Sequence, residues 1–138
     1  MAGSDDDFLE NWHRIVADRD MDSLREILVD DVSIGAPPYW NRLEGRDLVH
    51  FLLTQILQTI EGFTYHREWR DGRELALEFK GQVGGLDLQG VDLITLDGAG
   101  RVAKLDVVIR PVNAVTALIE VVAPRMQAFL ARRSPEAD

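Results

Sequence analysis

The chain has 138 residues, of which 46% are hydrophobic and 28% charged, the composition of a globular protein about one domain long. It contains no cysteine, which excludes disulfide frameworks, thiolate metal sites and cysteine nucleophiles. Asp and Glu outnumber Lys and Arg by 24 to 15, and the net charge of −9 repels phosphate backbones and anionic lipid. We therefore expect no nucleic acid partner and no membrane partner.

The sequence predicts one domain over 1–138, with an ordered core over about 7–131. No repeat and no linker rich in Pro, Gly or Ser divides it. The acidic start, residues 1–7, lacks the basic and apolar regions of a signal peptide, and no apolar run approaches the ~20 residues of a membrane span. Together with the absence of cysteine, these features predict a cytoplasmic location.

The first half of the chain predicts three helices and a short strand. Apolar residues recur at helical spacing over 8–16, and a capping box over 23–26 begins a short second helix. A third helix is predicted over 45–60, with its polar residues on one stripe. A strand over 32–34 lies between the second and third helices and ends before Pro37, because proline lacks the amide donor that a strand needs.

The second half changes to the two-residue period of β-strands. Four strands are predicted, over 63–70, 75–83, 86–96 and 102–110. A last helix is predicted over 114–131, with a break or kink at Pro124 and a stop at 134–135. Segregated helices and strands indicate an α+β fold, in which a strongly curved antiparallel sheet packs on N-terminal helices to form a cone. The wide end of such a cone is a pocket.

Several short segments occur in a characteristic order between about residues 8 and 110. They are the first helix with Trp12, Asp20-Met21-Asp22, Asp30-Asp31-Val32, Pro37 followed eight residues later by Gly45, and Gly90-Val91-Asp92 through 96–102. In this order and spacing they resemble the nuclear transport factor 2-like superfamily, and within it the SnoaL-like polyketide cyclase and ketosteroid isomerase-like branch. The resemblance implies a cystatin-like cone. Its known activities range from isomerases and cyclases to binding without chemistry.

The resemblance carries three catalytic positions of the ketosteroid isomerases onto this chain. Their oxyanion-hole Asp falls on Asp92, their oxyanion-hole Tyr on Trp12, and their general-base Asp on Ala36. Indole donates a hydrogen bond but is a poor acid, and Ala36 offers no group for proton transfer. The resemblance thus implies an isomerase, cyclase or dehydratase that uses Asp92 as general acid or oxyanion donor. The alternative is a non-catalytic ligand-binding or accessory protein of the same fold.

Strand register gives a separate argument about Asp92. A two-residue turn at 84–85 sets Leu77 opposite Asp92, so both point to the apolar face of the sheet. The next turn sets Leu105 opposite Asp92 on the other side, and Ile94 flanks it. Burial among apolar side chains raises the pKa of a carboxyl group, and a neutral Asp donates a hydrogen bond to an oxyanion. A purely structural role, with Asp92 bonded to a helix amide or a Trp, is the other interpretation.

The strand over 63–70 has two registers, which differ by one residue. A two-residue turn at Asp71-Gly72 places Thr64, His66 and Glu68 on the concave face, whereas a three-residue turn with a glycine bulge places Phe63, Tyr65, Arg67 and Trp69 there. In the first register, His66 and Asp92 form an acid/base pair. In the second, Tyr65 lies about 10 Å from the carboxylate. The apolar pattern favours the second, which makes Tyr65 the second candidate catalytic residue.

Aromatic and aliphatic side chains are predicted to line the pocket and bind an apolar, ring-bearing ligand. They are Trp12, Tyr39, Trp40, Phe63, Leu77, Phe79, Ile94 and Leu105. Tyr39 and Trp40 follow two prolines at the predicted mouth of the cone, where exposed aromatics suggest a lid or an interaction anchor. The other interpretation is that these residues only fill the core.

Cofactors and partners complete the prediction. Three scattered histidines without cysteine make no metal site, and no phosphate-binding or dinucleotide-binding glycine pattern is present, so we expect no cofactor. The convex face of the sheet carries apolar residues such as Leu93 and Val108, which need a cover. A twofold homodimer through that face is the simplest one.

Overall fold

The computed structural model describes the backbone of residues 2–137 and the side chains of residues 7–133. In chain order its elements are α1 (Ala2–Asp18), α2 (Met21–Glu26), β1 (Leu28–Gly35), β2 (Leu43–Glu44), α3 (Arg46–Thr59), β3 (Glu61–Asp71), β4 (Glu74–Val83), β5 (Leu86–Leu96), β6 (Val102–Arg110) and α4 (Val112–Ala137). The predicted α+β class is confirmed: within the described residues an open sheet of six strands packs against N-terminal helices and a C-terminal helix.

The strands lie in the order β2-β1-β6-β5-β4-β3. Neighbours are antiparallel except β1 and β6, which pair in parallel; the sequence predicts the strand β1 but not its partner. Strand β1 extends beyond the predicted residues 32–34 at both ends. The prediction was too short because the exposed Asp30 and Asp31 interrupt the apolar pattern at a register shift. Strand β2 has two residues, too few for any periodic pattern.

The core lies between the concave face of the sheet and the helices. Helix α1 buries an apolar stripe that includes Trp12, and α3 buries seven of its 14 residues. Alternate residues of the central strands, such as Leu77 on β4 and Ile94 on β5, are almost fully buried against them. Each such side chain stabilises the fold by about 1.5–3 kcal/mol through removal of apolar surface from water. The helices therefore close the space that the curved sheet leaves open.

Helix α4 differs from its prediction at both ends and in the middle. It begins at Val112, continues through Pro124 without interruption and extends past 134–135 to Ala137. A stripe at four-residue spacing holds it on the core: Ala114, Leu118, Val122 and Met126. The 22 residues Val112–Arg133 are also long and apolar enough to cross a membrane, by length and composition alone. That corrects the expectation that the chain has no such stretch.

The β3–β4 hairpin combines the two predicted registers. Its turn has two residues, as in the first register, but lies one residue later, with Asp71 opposite Glu74. Gly72 in this turn has a φ of +61°, which glycine adopts without steric cost. A register shift between Tyr65 and Glu68 then adds one residue to β3. Beyond this bulge, Tyr65 and Thr64 pair as in the second register, and another shift follows between Thr64 and Glu61.

The bulge brings two residues of β3 that are three positions apart onto the concave face. Tyr65 lies opposite Phe79, and Glu68 lies opposite Leu77. His66 is exposed, so the predicted acid/base pair of His66 with Asp92 is wrong. Thr64, Arg67 and Trp69 also lie off the concave face: Thr64 and Trp69 pair with Lys80 and Ala76, and Arg67 binds Glu78.

Asp92 lies opposite Leu77, in the register that the turn at 84–85 predicts. On its other side Asp92 faces Val107 rather than Leu105, which is a correction. The offset of two residues has two causes. The turn between the paired residues Leu96 and Val102 holds five residues instead of four, and a register shift between Thr95 and Leu96 adds one more residue on β6, which puts Leu105 opposite Ile94.

Candidate functional site

Three side chains from three elements form a hydrogen-bonded chain inside the cone. The indole Nε1 of Trp12 on α1 donates to the hydroxyl oxygen of Tyr65 on β3, over 2.9 Å. The Tyr65 hydroxyl donates to Oδ2 of Asp92 on β5, over 2.7 Å. The bulge in β3 is what turns Tyr65 toward Asp92, and the apolar stripe of α1 is what carries Trp12 over both. The site therefore depends on all three elements.

Asp92 is buried among apolar side chains. Burial raises the pKa of its carboxyl group to about 7, and the hydrogen bond from Tyr65 opposes that rise. The neutral and ionised forms are thus both accessible near neutral pH, which is the range in which a proton-transfer group works best. Oδ1 makes no hydrogen bond with any of the described residues.

Tyr65 lies in an aromatic cage. Its ring meets Phe63, Phe79 and His13 edge to face, with ring centroids 5.1, 6.4 and 5.2 Å away. Burial raises the pKa of the Tyr65 hydroxyl well above its usual range, and the charge of Asp92 adds to that rise. The hydroxyl therefore keeps its proton and acts as a donor.

His13 and Glu68 form a second polar pair at the rim of the site. The Nε2 atom of His13 contacts Oε1 of Glu68, and both side chains are about one-third exposed. The pair joins α1 to β3 beside the Tyr65 ring. Sequence reasoning placed Glu68 on the concave face only in the register that excludes Tyr65, and the β3 bulge brings both residues there.

A small cavity, here called the Asp92 cavity, lies beside the carboxyl group. Its volume is about 20 Å³, which holds about one water molecule. Its lining is Trp12, Val16, Leu24, Leu53, Ile56, Leu57, Phe63, Phe79, Asp92 and Val107. Asp92 is the one residue with a titratable side chain among these, so a group that enters the cavity meets a single carboxyl in apolar surroundings.

A second cavity, here called the α4 cavity, lies under the C-terminal helix. It also measures about 20 Å³ and is lined by the loop after β1, including Ala36 and Tyr39, by Leu52 and Ile56 of α3, and by one side of α4. Ile56 lines both cavities. Helix α4 thus covers this cavity.

The predicted lining residues separate into three groups. Trp12, Phe63 and Phe79 line the Asp92 cavity, and Tyr39 lines the α4 cavity. Leu77, Ile94 and Leu105 are fully buried core residues that line neither cavity, which corrects their placement. Trp40 is 95% exposed and lies on an open groove beside Asp106 and Val108, so it is not part of either cavity.

Several lining residues escaped prediction. Leu53, Ile56 and Leu57 lie on α3, whose apolar face covers more than half its circumference, so sequence alone does not tell which of them meets Asp92. Val107 was missed because the register shift in the β5–β6 hairpin is invisible in the apolar pattern. The signal that was available is the indole of Trp12, a buried donor that needs an acceptor.

Comparison with known proteins places this geometry in a family. No protein-family model matches the sequence, and the curated proteins give no significant match. Among solved structures, a steroid delta-isomerase from Pseudomonas aeruginosa is 33% identical, with a TM-score of 0.86 over 93% of this chain and 95% of that one. An uncharacterized protein with a cystatin-like fold from Silicibacter pomeroyi is 35% identical, with a TM-score of 0.85 over 92% of both chains.

More distant structures share the fold alone. A nuclear transport factor 2-like protein of unknown function from Burkholderia xenovorans is 19% identical, with a TM-score of 0.67 over 78% of this chain and 84% of that one. The match to the two nearer structures extends over almost the whole chain at more than 30% identity. This chain therefore belongs to the nuclear transport factor 2-like superfamily, in its SnoaL-like and ketosteroid isomerase-like branch.

Proposed function

We propose that the protein is a cofactor-independent enzyme of isomerase or cyclase type that acts on an apolar, ring-bearing carbonyl compound. The observation that carries this proposal is the Asp92 carboxyl group, buried beside an apolar cavity with its pKa raised to about 7. Similarity over nearly the full chain to a steroid delta-isomerase supports it.

In this proposal Asp92 acts in its neutral form. The carboxyl proton donates a hydrogen bond to the carbonyl oxygen of the substrate, and charge that develops on that oxygen is stabilised in surroundings of low dielectric constant. A water molecule, which the cavity has room for, accepts a proton from the neighbouring carbon, and the substrate becomes an enolate held by Asp92 instead of an isolated carbanion. Isomerisation, ring closure and dehydration next to a carbonyl all pass through such a step.

The size of the cavities sets a condition on this chemistry. A volume of about 20 Å³ beside Asp92 admits one water molecule and no ring. Ile56 lines both the Asp92 cavity and the α4 cavity. A ring-bearing ligand that occupies both cavities has to displace Ile56 and the α4 side chains that line the α4 cavity. We expect binding to be accompanied by displacement of α4.

A second candidate function is non-catalytic binding of the same class of ligand. Ala36, at the position of the family's general base, carries only a methyl group and lines the α4 cavity. The described lining of the Asp92 cavity has no second titratable group to accept a proton from carbon. A protein that holds a carbonyl compound by one hydrogen bond fits these observations without any reaction.

The Asp92→Asn variant separates the two functions. The probe reaction is the shift of the double bond in a β,γ-unsaturated steroid ketone, followed by the ultraviolet absorbance of the conjugated product. The binding probe is a fluorescent naphthol. If the protein is an enzyme, the wild type converts the ketone, and its rate falls about tenfold per pH unit above pH ~7 as Asp92 loses its proton.

The Asp92→Asn substitution should reduce turnover by at least ~10²-fold while naphthol affinity changes little, because an amide still donates one hydrogen bond but is a far weaker acid than a carboxyl group and stabilises the charge that develops on the carbonyl oxygen less. The matched control is Asp31→Asn, which neutralises an exposed carboxylate of β1 and should leave both readings unchanged. Tight binding without turnover in the wild type would instead establish the binding protein.

A further inference from the structure

We propose that Trp12 is a positioning residue: its indole fixes the direction of the Tyr65 hydroxyl, so that the proton of neutral Asp92 sits on Oδ1. This inference rests on the proposed function in one respect, namely that the proton of Asp92 is the one offered to a ligand. It gives Trp12 a specific role in the chain, beyond filling space in the core.

The direction follows from the chemistry of indole. Trp Nε1 is a donor and has no acceptor capacity, so at 2.9 Å the oxygen of Tyr65 has to accept. Among the described residues, the Tyr65 hydroxyl has one other hydrogen-bond partner, Oδ2 of Asp92 at 2.7 Å. A buried hydroxyl that leaves its hydrogen unpaired loses about 1–3 kcal/mol. The Tyr65 hydrogen therefore points to Asp92.

The consequence for Asp92 is an asymmetry between its two oxygens. Oδ2 accepts from Tyr65 in both protonation states, because Tyr65 has no other acceptor within the described part of the chain. The proton of the neutral form then belongs on Oδ1, which makes no hydrogen bond with the described residues, while Asp92 itself lines the cavity. A hydroxyl at position 12 would not impose this order, since it both donates and accepts.

The titratable groups around this chain are few. Tyr65 meets Asp92 directly, and His13 and Glu68 stand beside the Tyr65 ring at the rim. The residues that α3, β4 and β6 contribute to the Asp92 cavity are all apolar, among them Ile56, Phe79 and Val107. A pH titration of Asp92 therefore has to be compared with those of His13 and Glu68 in the same samples.

The Trp12→Phe variant tests the proposal. It keeps an aromatic ring stacked on Phe8 but removes the N–H. Free of that donor, the Tyr65 hydroxyl is a weaker donor to the carboxylate and becomes free to accept from neutral Asp92, and both changes favour the neutral form. By carbon-13 NMR of the carboxyl group, we expect the pKa of Asp92 to rise by about half a unit or more. An unchanged or lowered pKa would overturn the proposal.

Two controls distinguish this role from packing. Phe8→Leu disturbs the contact with Trp12 but leaves the hydrogen-bonded chain intact, and we expect the Asp92 titration to stay as in the wild type. In a Tyr65→Phe background, Trp12→Phe should have no further effect on Asp92, because the link between them is gone. An equal shift in both backgrounds would show that Trp12 acts only through burial and would refute the proposal.

The wild-type protein supplies a second reading that needs no variant. The indole N–H resonance of Trp12, the one buried tryptophan of the three, should shift with the same midpoint as the Asp92 carboxyl group. That resonance should stop titrating near pH 7 in Asp92→Asn. An indole signal that follows His13 instead would contradict the proposal. None of these readings depends on turnover, so they remain decisive even if the protein proves to be a binding protein.

Discussion

Two buried carboxyl groups lie on adjacent strands of the same sheet and behave in opposite ways. Asp92 on β5 points to the concave face and is 7% exposed, and Glu78 on β4 points to the convex face and is 3% exposed. The pKa of Asp92 is raised to about 7, whereas that of Glu78 is lowered to about 2. Similar exposure therefore gives shifts of opposite sign.

The difference lies in the partners. Arg67 binds Glu78 with two parallel hydrogen bonds of 2.9 and 2.8 Å, and Gln89 donates a third. Such a charged fork stabilises the carboxylate more than burial disfavours it. Asp92 receives one hydrogen bond from the neutral hydroxyl of Tyr65, which is too little to offset its burial. The convex face holds a fixed charge, and the concave face holds a proton that can leave.

The largest expected effect comes from neutralising Asp92. In the wild type the folded protein keeps the Asp92 proton up to pH ~7, whereas the unfolded chain loses it near pH 3.8. The free energy of unfolding therefore falls as pH rises between these values, by on the order of 4 kcal/mol for this group. Asp92→Asn should escape that loss and be more stable than the wild type at pH 8, by urea unfolding.

Urea unfolding of Asp92→Asn and the wild type at low pH is the control for this prediction. Below pH ~4 the carboxyl group is neutral in both states, so the advantage of the Asp92→Asn variant should shrink to the small difference between an acid and an amide. A gap between variant and wild type that is equal at pH 4 and pH 8 would show that the concave carboxyl is not held neutral by burial.

The second prediction concerns what covers the convex face, where we propose a homodimer. Leu93 is 42% exposed and Val108 57% exposed beside the Glu78 ion pair, and burial against a second copy would remove both from water. Leu93→Asp should weaken such a dimer by about 2 kcal/mol per copy through lost apolar burial and an added charge. Sedimentation at micromolar concentration should show a dimer for the wild type and a monomer for the variant.

Val112→Asp is the matched control, because Val112 is 79% exposed at the start of α4 and lies off the convex face. It adds the same charge elsewhere and should leave the dimer intact. A monomeric wild type at micromolar concentration would refute the dimer and leave the convex face open.

The sequence predicts the position of Asp92 on the concave face but not that of Tyr65 beside it. Period-two patterning and the turn at 84–85 were enough to place Asp92 opposite Leu77, because that turn has one dominant geometry. The bulge between Tyr65 and Glu68 was not predictable, since both registers put acceptable side chains on each face. The chain of hydrogen bonds from Trp12 through Tyr65 to Asp92 depends on that bulge. The sequence therefore left two alternatives for the partner of Asp92, Tyr65 and His66.

Glu78 shows the converse limit. Its position on the polar side of β4 follows from alternation, but its burial depends on Arg67 and Gln89 folding over it from two neighbouring strands. Contacts made by long flexible side chains leave no periodic trace in a sequence. The same holds for the α4 stripe, whose continuation through Pro124 is set by packing on the core and not by local propensity.

A third, smaller effect is expected from Tyr65→Phe. The variant keeps the aromatic cage but removes the one hydrogen bond that Asp92 receives from the side chains of residues 7–133, a bond that stabilises its ionised form. The pKa of Asp92 should rise further above 7, by about one unit or less, as expected for a neutral donor worth about 1 kcal/mol. Carboxyl carbon-13 titration measures it, and a fall in the pKa would show that Tyr65 accepts from Asp92 instead of donating to it.

The smallest effect, and the one of opposite sign, is expected from Glu78→Gln. Because the pKa of Glu78 is depressed in the folded state, the carboxylate stabilises the fold above its ordinary pKa of 4.5 and loses that contribution as pH falls through about 2. Glu78→Gln should thus be slightly less stable than the wild type at pH 7 and no less stable near pH 2, by urea unfolding. The loss stays small because the Arg67 side chain is 68% exposed, so that water replaces part of the lost ion pair. Were Glu78→Gln to stabilise the protein at pH 7, as Asp92→Asn should, the Arg67 fork would not hold the charge and the two faces would not differ in the way their geometry indicates.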